Sequence, residues 1–191
     1  MIIKSEAQQS MRFSAKSHWA AYAAAIWSVL YIPPHVYFAL GGTIGLPGTM
    51  TEKFEPVWAL TNWGASFALL LAGLLALGLA RPMEQKMVRL ALLVVSWCAC
   101  LIPILHACYG FVTKGLYLLG VLPIYFFNFS HWKTVDIGMF MMLDLLLFEP
   151  WFLVEGILFG LAIWQFHRSA QVKIDATLGG AAVDCGQPYK H

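Results

Sequence analysis

Phe148-Glu149-Pro150-Trp151-Phe152-Leu153-Val154-Glu155-Gly156 opens a strongly apolar segment with one carboxylate and carries a second, Glu155, about two turns further in. An ionisable side chain inside hydrocarbon is costly, so it calls for a partner, a water-filled cavity or a function. As the last of four membrane helices, this segment turns Glu155 toward an internal polar site. Glu149 differs: it adjoins Pro150 as Glu55 adjoins Pro56, and an acid beside a first-turn proline is most simply a helix-start residue at the outer interface.

The rest of the chain supports a membrane setting. Of its 191 residues, 60% are hydrophobic and 12% charged, against roughly 25% charged in an average soluble domain. The sequence predicts an all-α, polytopic membrane four-helix bundle with spans at residues 19–40, 57–80, 90–112 and 150–166, a crossing helix needing about 20 residues. Residues 1–18 read as a basic arm too polar for a cleaved signal peptide, and residues 169–191 as a mobile tail.

Lysine and arginine set the orientation. Nine lie in the arm, the Arg81–Arg89 loop and the tail, and three (Lys53, Lys114, Lys133) in the other connections. The positive-inside bias then puts both termini and the middle loop in the cytoplasm. Cys98, Cys100 and Cys108 fall within the third span and read as small apolar residues rather than a disulfide or metal site.

Proline and small residues shape the individual helices. Ala20, Ala21, Ala23, Ala24 and Ala25 give the first span a small-sided half suited to close packing, and Pro33-Pro34 bends or breaks it further on. Gly156 and Gly160 give the last span a second close-packing pair. Trp27 to Pro33 and Trp97 to Pro103 share the pattern Trp, four residues, Ile-Pro, followed closely by His35 and His106. With Phe54-Glu55-Pro56 matching Phe148-Glu149-Pro150, this suggests a parallel duplication of a two-helix unit. The second copy has a longer outer connection. Its apolar stretch Gly115–Phe127 is too short for a span and reads as an extra interfacial or re-entrant segment, and Ile137–Phe148 is either a surface helix or the start of the last span.

Depth connects topology to chemistry. His35 and His106 each lie 16 residues into their spans, about 24 Å at 1.5 Å per residue, and Glu155 enters from the opposite side. His35, Thr61, Asn62, His106 and Glu155 therefore share one layer, walled by Trp27, Trp97, Tyr37 and Tyr109. Such a layer suits a pocket for a small hydrophobic or lipid-like amphipathic molecule, bound or carried, with Glu155 fixing its polar end. The alternative is a membrane-embedded enzyme using His35 or His106 with Glu155 as acid and base on a hydrophobic substrate. A lesser one is haem b ligated by His35 and His106. A fourth is a structural protein that only packs with partners, and a homo-oligomer fits any of these. The basic residues follow membrane orientation rather than forming a stripe, so nucleic acid is not expected as a partner, and no zinc spacing appears.

At Pro34-His35, Tyr37 to Thr43, Gly45-Leu46-Pro47 and Phe148 to Leu153 the chain resembles small bacterial integral-membrane proteins grouped as a family of unknown function, over about residues 20–168. The resemblance implies four helices in a bacterial cytoplasmic membrane and transfers no catalytic residues. In architecture alone the chain is faintly similar to sterol-isomerase-like membrane proteins, which bears only on the enzyme alternative.

Overall fold

The computed structural model describes residues 18–81, 83 and 85–184, with the backbone alone at residues 125 and 169–184. The basic arm, apart from His18, and residues 185–191 of the tail lie outside the described residues. Four helical columns form the bundle. The first consists of α1 (Trp19–Leu30) and α2 (Ile32–Ala39), separated at Tyr31. Pro33 and Pro34 sit in the first turn of α2, where a missing N–H costs nothing, whereas within an unbroken helix they would remove hydrogen bonds and crowd the preceding turn. The second column is α3 (Glu55–Leu79) and the third α4 (Lys86–Leu118). The fourth comprises α5 (Ile137–Leu143), a π-helical turn (Asp144–Phe148) and α6 (Glu149–Asp184).

Three of these columns, Glu55–Leu79, Lys86–Leu118 and Ile137–Arg168, are long and apolar enough to cross a membrane. Their outward faces agree with that. Phe67, Leu70, Leu74, Val94, Leu101 and Leu105 are all exposed, a belt that suits lipid and would be a liability in water. The interior is built from small residues. Ala20, Ala21, Ala24, Ala25 and Ser28 of α1 are buried, and Gly73 brings α3 against Ala25 and Ser28. Phe159, Ile163 and Phe166 of α6 complete this core with Ala76, Leu79 and Cys100.

Gly156 and Gly160 work as a close-packing pair. A methyl group at Gly156 would come within 2.7 Å of the Cys100 carbonyl oxygen, and one at Gly160 would lie 3.4 Å from Cys100 Sγ. Cys98 and Cys108, by contrast, are exposed on α4.

The outer connection resolves the alternatives that the sequence leaves open. Helix α4 runs past residue 112 and takes up the start of Gly115–Phe127. It stops at Gly120, whose φ of 73° is left-handed, with the Gly120 N–H donating to the Tyr117 carbonyl and that of Val121 to the Leu116 carbonyl. That is a Schellman termination, and glycine adopts it without steric cost. One short 3-10 turn, Ile124–Phe126, follows. Helix α5 starts at Asp136, which caps it by accepting from the Met139 N–H at 3.0 Å, and leads through the π turn into α6 as one column. Helix α6 itself runs beyond Phe166, through residues assigned from sequence to the tail, as far as Asp184.

Two short strands, β1 (Gly48–Met50) and β2 (Trp132–Val135), pair antiparallel and join the two connections at this end. Thr49 faces Thr134, their hydroxyls 2.7 Å apart. Strands of three and four residues carry too little alternation to be seen in sequence. The paired proline motifs adopt different backbones: the chain breaks before Pro33, whereas Pro103 lies inside an unbroken α4.

Gly156→Ala should destabilise the α4–α6 crossing by about 1–3 kcal/mol, the usual cost of overpacking. Thermal unfolding in detergent is expected to show a lowered midpoint, with Gly64→Ala, whose added methyl meets nothing within 4 Å, at or above wild type. Equal midpoints for the two variants would contradict the crossing geometry.

Candidate functional site

Lys114, near the end of α4, has a side chain only 12% exposed, and a buried ammonium requires anionic partners. Asp144 Oδ2 lies 2.9 Å from its Nζ, and Glu149 Oε1 is in contact with the same nitrogen. The backbone explains how one lysine reaches both acids. Five residues along a regular α-helix place two side chains about 140° apart, which would turn one of them away. Pro150 has no N–H to give to the carbonyl four residues back, and its ring crowds that position. The helix widens into a π turn there, with the Glu149 N–H donating to the Asp144 carbonyl, so that residues five apart come into line. Opposite, Gly110 leaves room for Glu149: a Cβ at that position would collide with the carboxylate.

Glu149 is consequently almost wholly buried, its side chain 2% exposed. Only one of its oxygens is served. Oε2 has no hydrogen-bond partner, and its neighbour His106 Nε2 stands 3.9 Å away, too far for a hydrogen bond. The His106 ring meets Phe152 edge-on at 4.6 Å. Glu149 opens α6, as the sequence suggests, but the expected interfacial placement like that of Glu55 is corrected. Glu55 is exposed, whereas Glu149 is drawn inward by Lys114 and the π turn.

A cavity of about 320 Å³ opens over this group. Lys114, Asp144, Glu149 and His106 make up its charged end, Thr113 and Asn128 add further polar lining, and the rest of the wall is largely aromatic, with Phe126, Phe127, Phe129, Phe140 and Trp132. Phe129 and Phe140 meet edge-to-face at 5.4 Å, a preferred aromatic arrangement. Tyr109 completes the lining on α4. The site therefore combines a charged end with a broad apolar surface.

Of the residues singled out from sequence, His106 and Tyr109 line this cavity and the others lie elsewhere. Glu155 is 4% exposed and belongs to the α1–α6 interface, where the Ser28 hydroxyl lies 2.8 Å from its Oε1. Gln165, further along α6, accepts from the Ala20 N–H at 3.3 Å. Trp27 donates from Nε1 to the Trp151 carbonyl and stacks on the Trp151 ring at 4.1 Å. Asn62 donates to the Trp58 carbonyl, so its Oδ1 is the acceptor for His35 Nδ1–H at 2.8 Å. Thr61 donates to Val57 within its own helix. Tyr37 accepts from the Ile44 N–H, and Trp97 is exposed on α4. His35 does not line the cavity, so the two axial ligands that haem b requires are not assembled there.

Lys114, Asp144 and the inward role of Glu149 escaped the sequence reading. The available signal was the Asp144-x-x-x-x-Glu149-Pro150 spacing, in which a proline follows the second of two acids five apart.

Lys114→Met would leave two carboxylates facing each other without their cation. A loss of up to about 3–5 kcal/mol is expected, as for a broken buried pair, the upper end applying only if the residual exposure of Lys114 and Asp144 screens little. The check is thermal unfolding in detergent, where an unchanged midpoint would show that the triad does not hold this end together.

No curated protein and no solved structure matches the chain. One family does, across residues 28–159, which contain α2 to α5, the π turn, the whole cavity lining and the first part of α6. The chain is a helical membrane protein belonging to the family described as Protein of unknown function (DUF3995).

Proposed function

We propose that this protein binds or carries a small, lipid-like amphipathic molecule in the cavity between α4, the π turn and the connection that bears β2. The observation behind this is the make-up of the lining, with ionisable groups clustered around Lys114 and aromatic rings over most of the remainder. Pockets of this kind hold a ligand through apolar contact and orient it by a few polar groups. Glu149 takes the orienting role that the sequence suggested for Glu155, which instead serves the α1–α6 contact.

The setting proposed is the bacterial cytoplasmic membrane that the family resemblance implies, with both termini in the cytoplasm, an orientation supported by the distribution of lysine and arginine. The cavity then lies in the outer half. An acid–base enzyme would use the same end of the cavity, since His106 and Glu149 stand 3.9 Å apart. Incubation decides between the two: a ligand returned unchanged supports binding, and a converted one supports catalysis.

Protein purified in mild detergent and extracted into organic solvent should yield an amphipathic species detectable by mass spectrometry. Gly110→Ala, whose methyl displaces the Glu149 carboxylate, is expected to reduce its yield about tenfold, the equivalent of about 1.4 kcal/mol. Glu155→Gln keeps its partner Ser28 and should change the yield less than about twofold. No bound species in the wild type, or equal yields from wild type and Gly110→Ala, would count against the proposal. The reverse pattern, with loss only in Glu155→Gln, would return the site to the Glu155 layer.

A further inference from the structure

We infer that the headgroup accepted by this cavity is an organic ammonium, seated on Glu149 Oε2. The inference rests on the proposed binding role and names its ligand class. The charged residues lining the cavity are Asp144, Glu149 and Lys114, two carboxylates to one ammonium. His106 makes no hydrogen bond to them, its Nε2 standing 3.9 Å from the nearer carboxylate oxygen. By formal count the carboxylates exceed the ammonium by one, and the Glu149 side chain is only 2% exposed.

The leftover charge coincides with the leftover acceptor. Lys114 occupies Oε1 of Glu149, while Oε2, on a side chain 2% exposed, has no hydrogen-bond partner. A buried acceptor without a donor is costly, and more so when ionised. An anionic headgroup would be repelled. A hydroxyl would supply a donor and leave the charge unbalanced, whereas an ammonium N–H supplies the donor and the charge together. The rest of the lining agrees, since Phe129, Trp132 and Phe140 are aromatic and ring faces attract organic cations as well as packing against alkyl chains. An ammonium of this kind is carried both by free amines and by the aminoethyl headgroup of a phospholipid.

The test uses the full chain in phosphatidylcholine nanodiscs, titrated calorimetrically with octylammonium, octan-1-ol and octanoate, with empty discs subtracted. Octylammonium is expected to bind at least about tenfold more tightly than octan-1-ol, with octanoate weakest. Glu149→Gln should abolish the preference for amine over alcohol, and because the order is read first in the wild type, a poorly folding variant does not decide the outcome. Octan-1-ol binding as tightly as octylammonium would overturn the ammonium assignment and leave the amphiphile pocket standing. Binding of none of the three would overturn the pocket itself. Adding phosphatidylethanolamine to the discs separates the two sources: weaker octylammonium binding identifies the lipid headgroup as the occupant, and unchanged binding a free amine.

Discussion

The ammonium of Lys114 between the carboxylates of Asp144 and Glu149 is the constraint to which this end of the molecule answers. Coulomb attraction strengthens as the effective dielectric falls, and so does the penalty for leaving any member of such a group alone. The three side chains come from two columns that elsewhere meet largely through apolar contacts, so the triad fixes how the end of α4 sits against the π turn. Gly110 is small because Glu149 must pass over it. The polar end of the cavity, with its one unserved oxygen, is a consequence of that arrangement.

The two ends of the bundle are held by different means. Toward Trp19 the helices approach through alanines and glycines, which suits a setting in which lipid is as apolar as the helices and close contact has to supply the attraction. Toward the ribbon the contacts are aromatic and polar. Trp27, Trp151 and Tyr31 stack in a column beside the break in the first helix, and β1 ties the connection after α2 to the one before α5. The cavity lies at this end, among large rigid rings. Glu155 falls between these regimes, as a polar clasp from α6 to Ser28 that closes the first column onto the fourth.

Much of the architecture was legible in the sequence. Apolar runs of spanning length marked the columns, Pro33-Pro34 marked the break, and Gly156 with Gly160 marked a close crossing, because each follows from local sterics or from length. The candidate site was less legible. Depth counted along ideal helices placed His35, His106 and Glu155 in one layer, but depth does not say which face a side chain takes. His35 turns to Asn62 and Glu155 to Ser28, while His106 remains by the cavity. Glu149 was misread because its neighbourhood copies that of Glu55, and the difference between them lies in Lys114, distant in sequence and brought near by packing. The ribbon left no pattern because its strands are too short to show one.

The π turn has a consequence beyond the pairing of two acids. It holds one residue more than the α-helical path it replaces, and that extra residue sets the rotational phase of everything after it. Upstream, Met141 faces the interior; downstream, Gly156 and Gly160 face α4 while Glu155 and Gln165 face α1. Deleting a single residue between Asp144 and Phe148 would rotate one of these sets by about 100° relative to the other, without altering any side chain that makes a contact. In this column the count of residues is as much a part of the site as their chemistry, so among related chains the length of this segment should vary less freely than its composition.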